Sequence, residues 1–137
     1  MVLMDVERLD KVVGEFGRVL KPDGFIIVSI LHPCFENPPN TYSLFDDNGK
    51  RIGRIVQKYF ETGLIKDDKN RINNEPYLHY HYMISDYLNN FSKNKLFIEK
   101  MVEPNGYKID KDKNMGMNPD APTFLIMKFK KIEYKKF

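Results

Sequence analysis

Glu15 to Gly24, read E-F-G-R-V-L-K-P-D-G, and the run F-I-I-V-S-I from Phe25 to Ile30 decide how this chain folds. Before the junction, apolar residues recur in steps of three and four, as on one face of a helix: Val6, Leu9, Val13, Phe16 and Leu20. The proline and glycine of K-P-D-G, residues 21–24, then end the helix in a turn. The apolar run after the turn shows no alternation, which predicts an interior strand covered on both faces of a parallel or mixed sheet.

The helix is predicted to extend from Asp5 to Leu20, with Asp5 as its N-cap. The chain therefore begins with a helix that has no strand before it. This order is typical of the end of an α/β sheet rather than of a whole one.

Beyond the strand, Leu31 to Pro76 is interrupted by prolines, asparagines and glycines, which predicts mostly loop. Ile52 to Phe60 is the strand candidate within it, with a possible partner around Thr62 to Lys66. Apolar residues at helical spacing predict a second helix over residues 82–93. The remaining predictions are two strands and the loop between them, which we expect to be mobile or to cover a ligand: Phe97 to Val102, Thr123 to Ile132, and Pro104 to Pro122.

Composition and length restrict the class of protein to which the chain can belong. A chain of 137 residues, 42% hydrophobic and 30% charged, predicts one globular domain over residues 1–137 and excludes a disordered chain. No apolar run has the roughly 20 residues that a membrane span needs. Charged residues among the first eight exclude a secretory signal, so we expect a cytoplasmic protein. One cysteine, Cys34, offers neither an intrachain disulfide nor a metal-ligand pair, so no metal site is predicted.

The net charge of +3 is concentrated at the C-terminus, where residues 128–137 hold five lysines and one glutamate. This tail permits nucleic-acid binding, but the apolar residues Phe129, Ile132 and Tyr134 are interleaved with the lysines as in a strand with a solvated edge. We therefore expect no nucleic-acid partner.

Several motifs in their order along the chain resemble the second half of the class I S-adenosylmethionine-dependent methyltransferases, in the subgroup that methylates small molecules. E-F-G-R-V-L-K-P-D-G is the most specific of them, although Asp23 stands where the family signature has a second glycine. The others are V-L-M-D-V at residues 2–6, S-I-L-H-P-C-F at 29–35, Y-H-Y at 80–82, S-D-Y-L at 85–88, E-P at 103–104 and P-T-F-L-I at 122–126.

The resemblance implies a partial Rossmann-like sheet: the last three strands of seven plus their helices, with the N-terminal half absent. S-adenosylmethionine is the implied cofactor, and the family holds it on a glycine-rich loop. The eight glycines of this chain form no G-x-G-x-G pattern. Whether the chain is an enzyme by itself is therefore left open, and we expect it to be inactive in isolation.

The resemblance also assigns candidate site residues. Met4 and Asp5 match the segment beside the cofactor, and His32 and His81 match positions that face the substrate. No catalytic residue is implied. Three of the four assignments have a structural alternative: an N-cap for Asp5, a hydrogen bond within its own loop for His32, and an aromatic cluster for His81.

Two functions follow as hypotheses. The first is methyl transfer to a small-molecule acceptor, in which the missing half has to be supplied. The second is a non-enzymatic module that pairs through an exposed sheet edge. In either case we expect the strand Phe25 to Ile30 to have one unpaired edge, which favours a homodimer or a complementing N-terminal half as partner.

Overall fold

The computed structural model describes residues 2–72, 74–104 and 121–132, apart from the side chains of residues 70–72. After a 3-10 turn at Val2–Met4, the elements in chain order are α1 Leu9–Val19, β1 Phe25–Leu31, β2 Thr41–Phe45, β3 Arg51–Val56, β4 Gly63–Ile72, β5 Glu75–His81, α2 Ile84–Lys93, β6 Leu96–Val102 and β7 Phe124–Lys131. The α/β class is confirmed. Most of the predicted loop from Pro104 to Pro122 lies outside the described residues.

The first helix is confirmed, but it begins at Leu9 rather than at Asp5. Its N-cap is Arg8, and no side chain caps the helix, so the N-cap role predicted for Asp5 is wrong. The predicted turn closes with the Gly24 N–H donating to the Lys21 carbonyl at 2.9 Å. Asp23 has φ of 58°, a left-handed conformation that aspartate tolerates, which explains why it can stand in this turn.

The main sheet has three strands in the order β1-β7-β6, and β7 pairs antiparallel with both neighbours. The strands β1 and β6 consequently run in the same direction and end at the same edge of the sheet. Three inward side chains of β7 are almost fully buried and pack below the helices: Leu125, Met127 and Phe129.

The strand β1 is not covered on both faces, contrary to the prediction. Val28 and Ile30 are buried, but Phe25 is 56% exposed and Ile27 61% exposed. Within the described residues β1 pairs only with β7, so its other edge is free of strands. The apolar outer face explains why the sequence pattern resembles that of an interior strand.

The segment from Leu31 to Pro76 is not mostly loop. It contains two antiparallel hairpins, β2-β3 and β4-β5. The strand predicted at Ile52 to Phe60 corresponds to β3, but its partner is β2. The predicted partner, Thr62 to Lys66, instead forms the first part of β4, which pairs with β5. Neither hairpin fills the free edge of β1.

Arg54 attaches the β2-β3 hairpin to the chain that follows β1. Its guanidinium donates twice to the Phe35 carbonyl, at 2.8 and 2.6 Å, and forms an ion pair with Glu36 at 2.9 Å. It also lies 3.3 Å from the hydroxyls of Thr41 and Ser43. A guanidinium with five fixed donors suits such a junction, and it orders the segment before Asn37.

Aromatic stacking joins the helices to the sheet. The Phe91 ring of α2 stacks on Phe129 of β7, with centroids 3.9 Å apart, and lies 6.3 Å from the Phe16 ring of α1. Phe91 is fully buried, whereas Phe16 is only partly so. None of the helices in the described part of the chain has the length and apolar character to cross a membrane.

Phe91→Ala is expected to lower the free energy of unfolding by about 3 to 5 kcal/mol, because it leaves a cavity between α2 and the sheet. Urea denaturation followed by circular dichroism measures the loss. Phe60, which is 82% exposed, provides the control: Phe60→Ala should change stability by less than about 0.5 kcal/mol. Equal losses in the two variants would contradict the packing described for α2.

Candidate functional site

The parallel ends of β1 and β6 bring two polar side chains together. His32 directly follows β1, and its N–H extends the ladder by donating to the Thr123 carbonyl at 2.9 Å. Glu103 directly follows β6, and its Oε1 lies 2.9 Å from the His32 Nε2. Residues 71 positions apart in sequence are thereby joined across the end of the central strand.

Both ring nitrogens of His32 have protein partners. Nδ1 accepts from the Cys34 N–H at 3.2 Å, so the proton lies on Nε2 and is donated to Glu103. The ring is 2% exposed and packs against Phe35 at a centroid distance of 4.8 Å. In this arrangement His32 connects two strand ends. Its assignment as a substrate-binding residue stays a prediction.

A cleft lies beside this edge, between the segment after β1, the strand β5 and the N-terminal turn. Its lining is mostly aromatic and apolar, and includes Met4, Pro33, Tyr80, Tyr82 and Tyr87. The polar side chains in the lining are Glu36, Asn37, His79 and His81, as well as the tyrosine hydroxyls. The structure thus brings Met4 and His81 to one cleft, whereas His32 and Asp5 lie outside its lining.

Met4 and Asp5, the residues predicted to contact the cofactor, differ in burial and in their hydrogen bonds. Met4 is buried, and its sulfur accepts from the Leu31 N–H at 3.3 Å. Asp5 is exposed, and its own N–H donates to the Val2 carbonyl at 2.9 Å. Met4 therefore fixes the turn against β1, and Asp5 leaves a carboxylate at the surface.

His81 closes the end of β5. Its Nε2 donates to the Tyr59 carbonyl at 2.8 Å, and its ring meets the Tyr59 ring edge-on at 5.8 Å. The ring is 3% exposed. The aromatic-cluster alternative fits these contacts, and the substrate-binding role remains a prediction.

His79 is a residue that the sequence analysis missed. It lies two positions before His81, on the same face of β5, and its Nε2 is 3.0 Å from the Oδ1 of Asn37. The His79 ring stacks on Tyr77. The alternation His79-Tyr80-His81 within a strand is the signal that could have found it, since residues i and i+2 share a face. Asn37, 42 positions away, gave no such signal.

Burial keeps the cleft uncharged around its rings. It raises the pKa of the Tyr82 and Tyr87 hydroxyls, so both are neutral at neutral pH. Burial, together with the neighbouring His81, lowers the pKa of His79. Among residues 2–72, 74–104 and 121–132, no three His, Cys, Asp or Glu side chains are grouped so that they could hold a metal ion. The rings of the cleft are therefore uncharged, and Glu36, which forms an ion pair with Arg54, is the carboxyl group in its lining.

No family model matches the chain, and no curated protein matches it either. Solved structures do match. One is a Listeria monocytogenes protein assigned to the S-adenosylmethionine dependent methyltransferases, with a TM-score of 0.80 and 23% identity over 96% of this chain. Another is an S-adenosylmethionine dependent methyltransferase of Mesorhizobium loti, with a TM-score of 0.75 and 20% identity over 93% of this chain.

The match takes in only part of each neighbour: 58% of the Listeria chain and 57% of the Mesorhizobium chain. Identities this low establish likeness of fold. The chain therefore shares the fold of the matched part of these two neighbours.

Proposed function

We propose that this chain is the acceptor-binding part of an S-adenosylmethionine-dependent methyltransferase that acts on a small molecule. The observation that supports this proposal most is the fold match over 96% of the chain, together with an aromatic cleft beside the parallel ends of β1 and β6. Open α/β sheets bind their ligands at the carboxyl ends of their strands. The match favours this function over a non-enzymatic pairing module. The proposed compartment is the cytoplasm, because a single cysteine makes no intrachain disulfide.

The residues described do not by themselves fit the whole cofactor. Met4, one of the two proposed contacts, has its sulfur bound to a backbone N–H, and Asp5 supplies one exposed carboxylate. The sequence contains no G-x-G-x-G loop. We therefore assign to this chain the binding and orientation of the acceptor, with His81 in the cleft and His32 at its edge.

Positioning is the contribution that methyl transfer most needs from such a cleft. Holding the acceptor in line with an activated methyl donor converts a bimolecular encounter into an oriented one, which lowers the barrier by several kcal/mol. The stacked and buried rings around the cleft provide a rigid wall for that purpose.

An apolar groove on the other side of β1 is the proposed contact for the remaining part of the enzyme. It has a volume of about 200 Å³ and is lined by the N-terminal turn, α1 and the free edge of β1, including Leu3, Phe16, Ile26, Ile27 and Val28. We assign it to the cofactor-binding half of a methyltransferase domain. The support is that the solved neighbours contain further chain beyond the matched part. A second copy of this chain is the alternative occupant.

The isolated chain is expected to bind S-adenosylmethionine no better than weakly, with no saturation in the micromolar range, because it lacks a glycine-rich loop. Isothermal titration calorimetry on the purified chain measures this. Micromolar affinity accompanied by turnover would show that the chain completes the cofactor site itself or with a second copy. That result would contradict the proposal that a separate half binds the cofactor.

Ile27→Asp is expected to prevent assembly with the cofactor-binding half, because it places a charge on the groove beside β1. The chain is produced together with a separately encoded candidate for the cofactor-binding half, chosen for a G-x-G-x-G loop, and the complex is measured by light scattering. Ile52→Asp is the matched control, since Ile52 is 58% exposed and lies on the separate β2-β3 sheet. A homodimer of this chain that excludes the candidate half would overturn the assignment.

A further inference from the structure

The charge that acts on the cleft is negative. Burial raises the pKa of the Tyr87 hydroxyl, and the carboxylates of Asp86 and Asp5 raise it further. Asp5 is exposed, and within the described residues its carboxylate has no hydrogen bond and no ion pair. Glu36 of the lining adds no net charge, because it forms an ion pair with Arg54 at 2.9 Å. The surroundings of Tyr87 therefore favour a cation over an anion.

Three tyrosines of the lining, Tyr80, Tyr82 and Tyr87, form an aromatic corner. The rings of Tyr80 and Tyr82 are nearly parallel, at an angle of 18° and a centroid distance of 6.5 Å. Tyr87 meets Tyr82 edge-on, at 76° and 5.8 Å. The Tyr82 hydroxyl lies 2.7 Å from the Glu7 carbonyl and 2.8 Å from the Val6 carbonyl, which fixes the ring. Because the face of an aromatic ring attracts cations, a fixed corner of such rings suits a cationic group.

His79 supplies a hydrogen-bond acceptor in the same lining. Its Nε2 lies 3.0 Å from Oδ1 of Asn37, so the proton lies on Nε2 and Nδ1 keeps its lone pair. His79 is 1% exposed, and Nδ1 has no partner within the described residues. Nδ2 of Asn37 also has none, but Asn37 occupies the Nε2 side of the ring, so the two atoms are separate positions. A buried acceptor without a partner destabilises the fold, and Nδ1 therefore indicates a ligand that donates.

The size of the cleft selects among the cations that donate. The enclosed volume is about 10 Å³, which admits one group of the size of a water molecule. A primary ammonium has about that size and carries three N–H donors, whereas trimethylammonium has none and is larger. A hydroxyl group also fits the volume, but it has no charge that Asp5 could attract.

We propose that the cleft binds the primary ammonium group of a small molecule. The ammonium lies in the corner of Tyr80, Tyr82 and Tyr87 and donates to Nδ1 of His79, and the carboxylate of Asp5 supplies the opposite charge. That this amine is the methyl acceptor rests on the proposed function. The ammonium site itself does not, because it needs neither cofactor nor turnover.

An ammonium group occurs on amine acceptors and also on the amino-acid end of S-adenosylmethionine. We assign the site to the acceptor, because an amino acid carries a carboxylate next to its ammonium, and the carboxylates of Asp5 and Asp86 repel it. Norleucine and pentylamine distinguish the two sources, since they differ only in that carboxylate.

The test uses four probes on the full chain without cofactor: pentylamine, 1-pentanol, pentyltrimethylammonium and norleucine. Nitrogen NMR of the His79 imidazole reports on the acceptor, and the ring protons of Tyr87 report on the aromatic corner. We expect pentylamine, protonated at neutral pH, to shift both sets of signals in a saturable way. The other three probes should shift them weakly or not at all, and added salt should weaken the binding of pentylamine.

Two variants remove one feature of the site each. His79→Phe removes the acceptor and should weaken the binding of pentylamine about tenfold. Asp5→Asn removes the exposed charge and should weaken it about threefold. Asp47→Asn is the matched control, because Asp47 is equally exposed but lies in the turn between β2 and β3, and it should leave binding unchanged. If His79→Phe fails to fold, the two aspartate variants and the four probes still decide the matter.

Equal binding of 1-pentanol and pentylamine would overturn the proposal, because the charge would then not be recognised. So would pentylamine binding that neither His79→Phe nor Asp5→Asn weakens. Norleucine binding as tightly as pentylamine would overturn the assignment to the acceptor and give the site to the amino-acid end of the cofactor. Absence of methyl transfer in a reconstituted enzyme that still binds pentylamine would count against the proposed function and not against this site.

Discussion

The antiparallel pairing of β7 with both of its neighbours is the constraint on which the rest of the structure depends. Because β7 opposes β1 on one side and β6 on the other, those two strands run parallel and end together. The alternate residues Leu125, Met127 and Phe129 place the same strand at the centre of the core. One strand therefore aligns the edge at which His32 meets Glu103 and also carries the surface on which α2 packs.

The cleft is assembled from segments that are far apart in the chain, and separate tethers hold each of them. Arg54 fixes the segment after β1, the Tyr59 carbonyl fixes His81, and the Leu31 N–H binds the sulfur of Met4. The cleft thus has a pre-organised wall, which is what an acceptor site requires. The groove beside β1 differs, since two of its apolar side chains, Val2 and Ile27, are mostly exposed.

The sequence predicted the elements whose periodicity is strong and local: α1, α2, β6 and β7, and the turn at K-P-D-G. The prediction was wrong where the burial of a strand, or the strand it pairs with, depends on residues far away in the sequence. The outer face of β1 is apolar, but nothing in the described residues covers it. The strand β4 contains the charged residues Lys66, Asp67 and Asp68, which interrupt the alternation of apolar and polar residues that would predict a strand. Of the cleft, Met4 and His81 were predicted from motifs, whereas the pairing of Asn37 with His79 arises only when the hairpins fold, because no local pattern connects residues 42 positions apart.

The central claim is that this chain supplies the acceptor site of a methyltransferase completed by a cofactor-binding half. The most direct measurement is transfer of a labelled methyl group from S-adenosylmethionine to a panel of small-molecule acceptors by this chain together with a cofactor-binding half, with each polypeptide alone as control. Labelled product formed only by the combination is the expected result. A combination that assembles and binds S-adenosylmethionine, yet transfers the label to no small molecule of the panel, would contradict the claim.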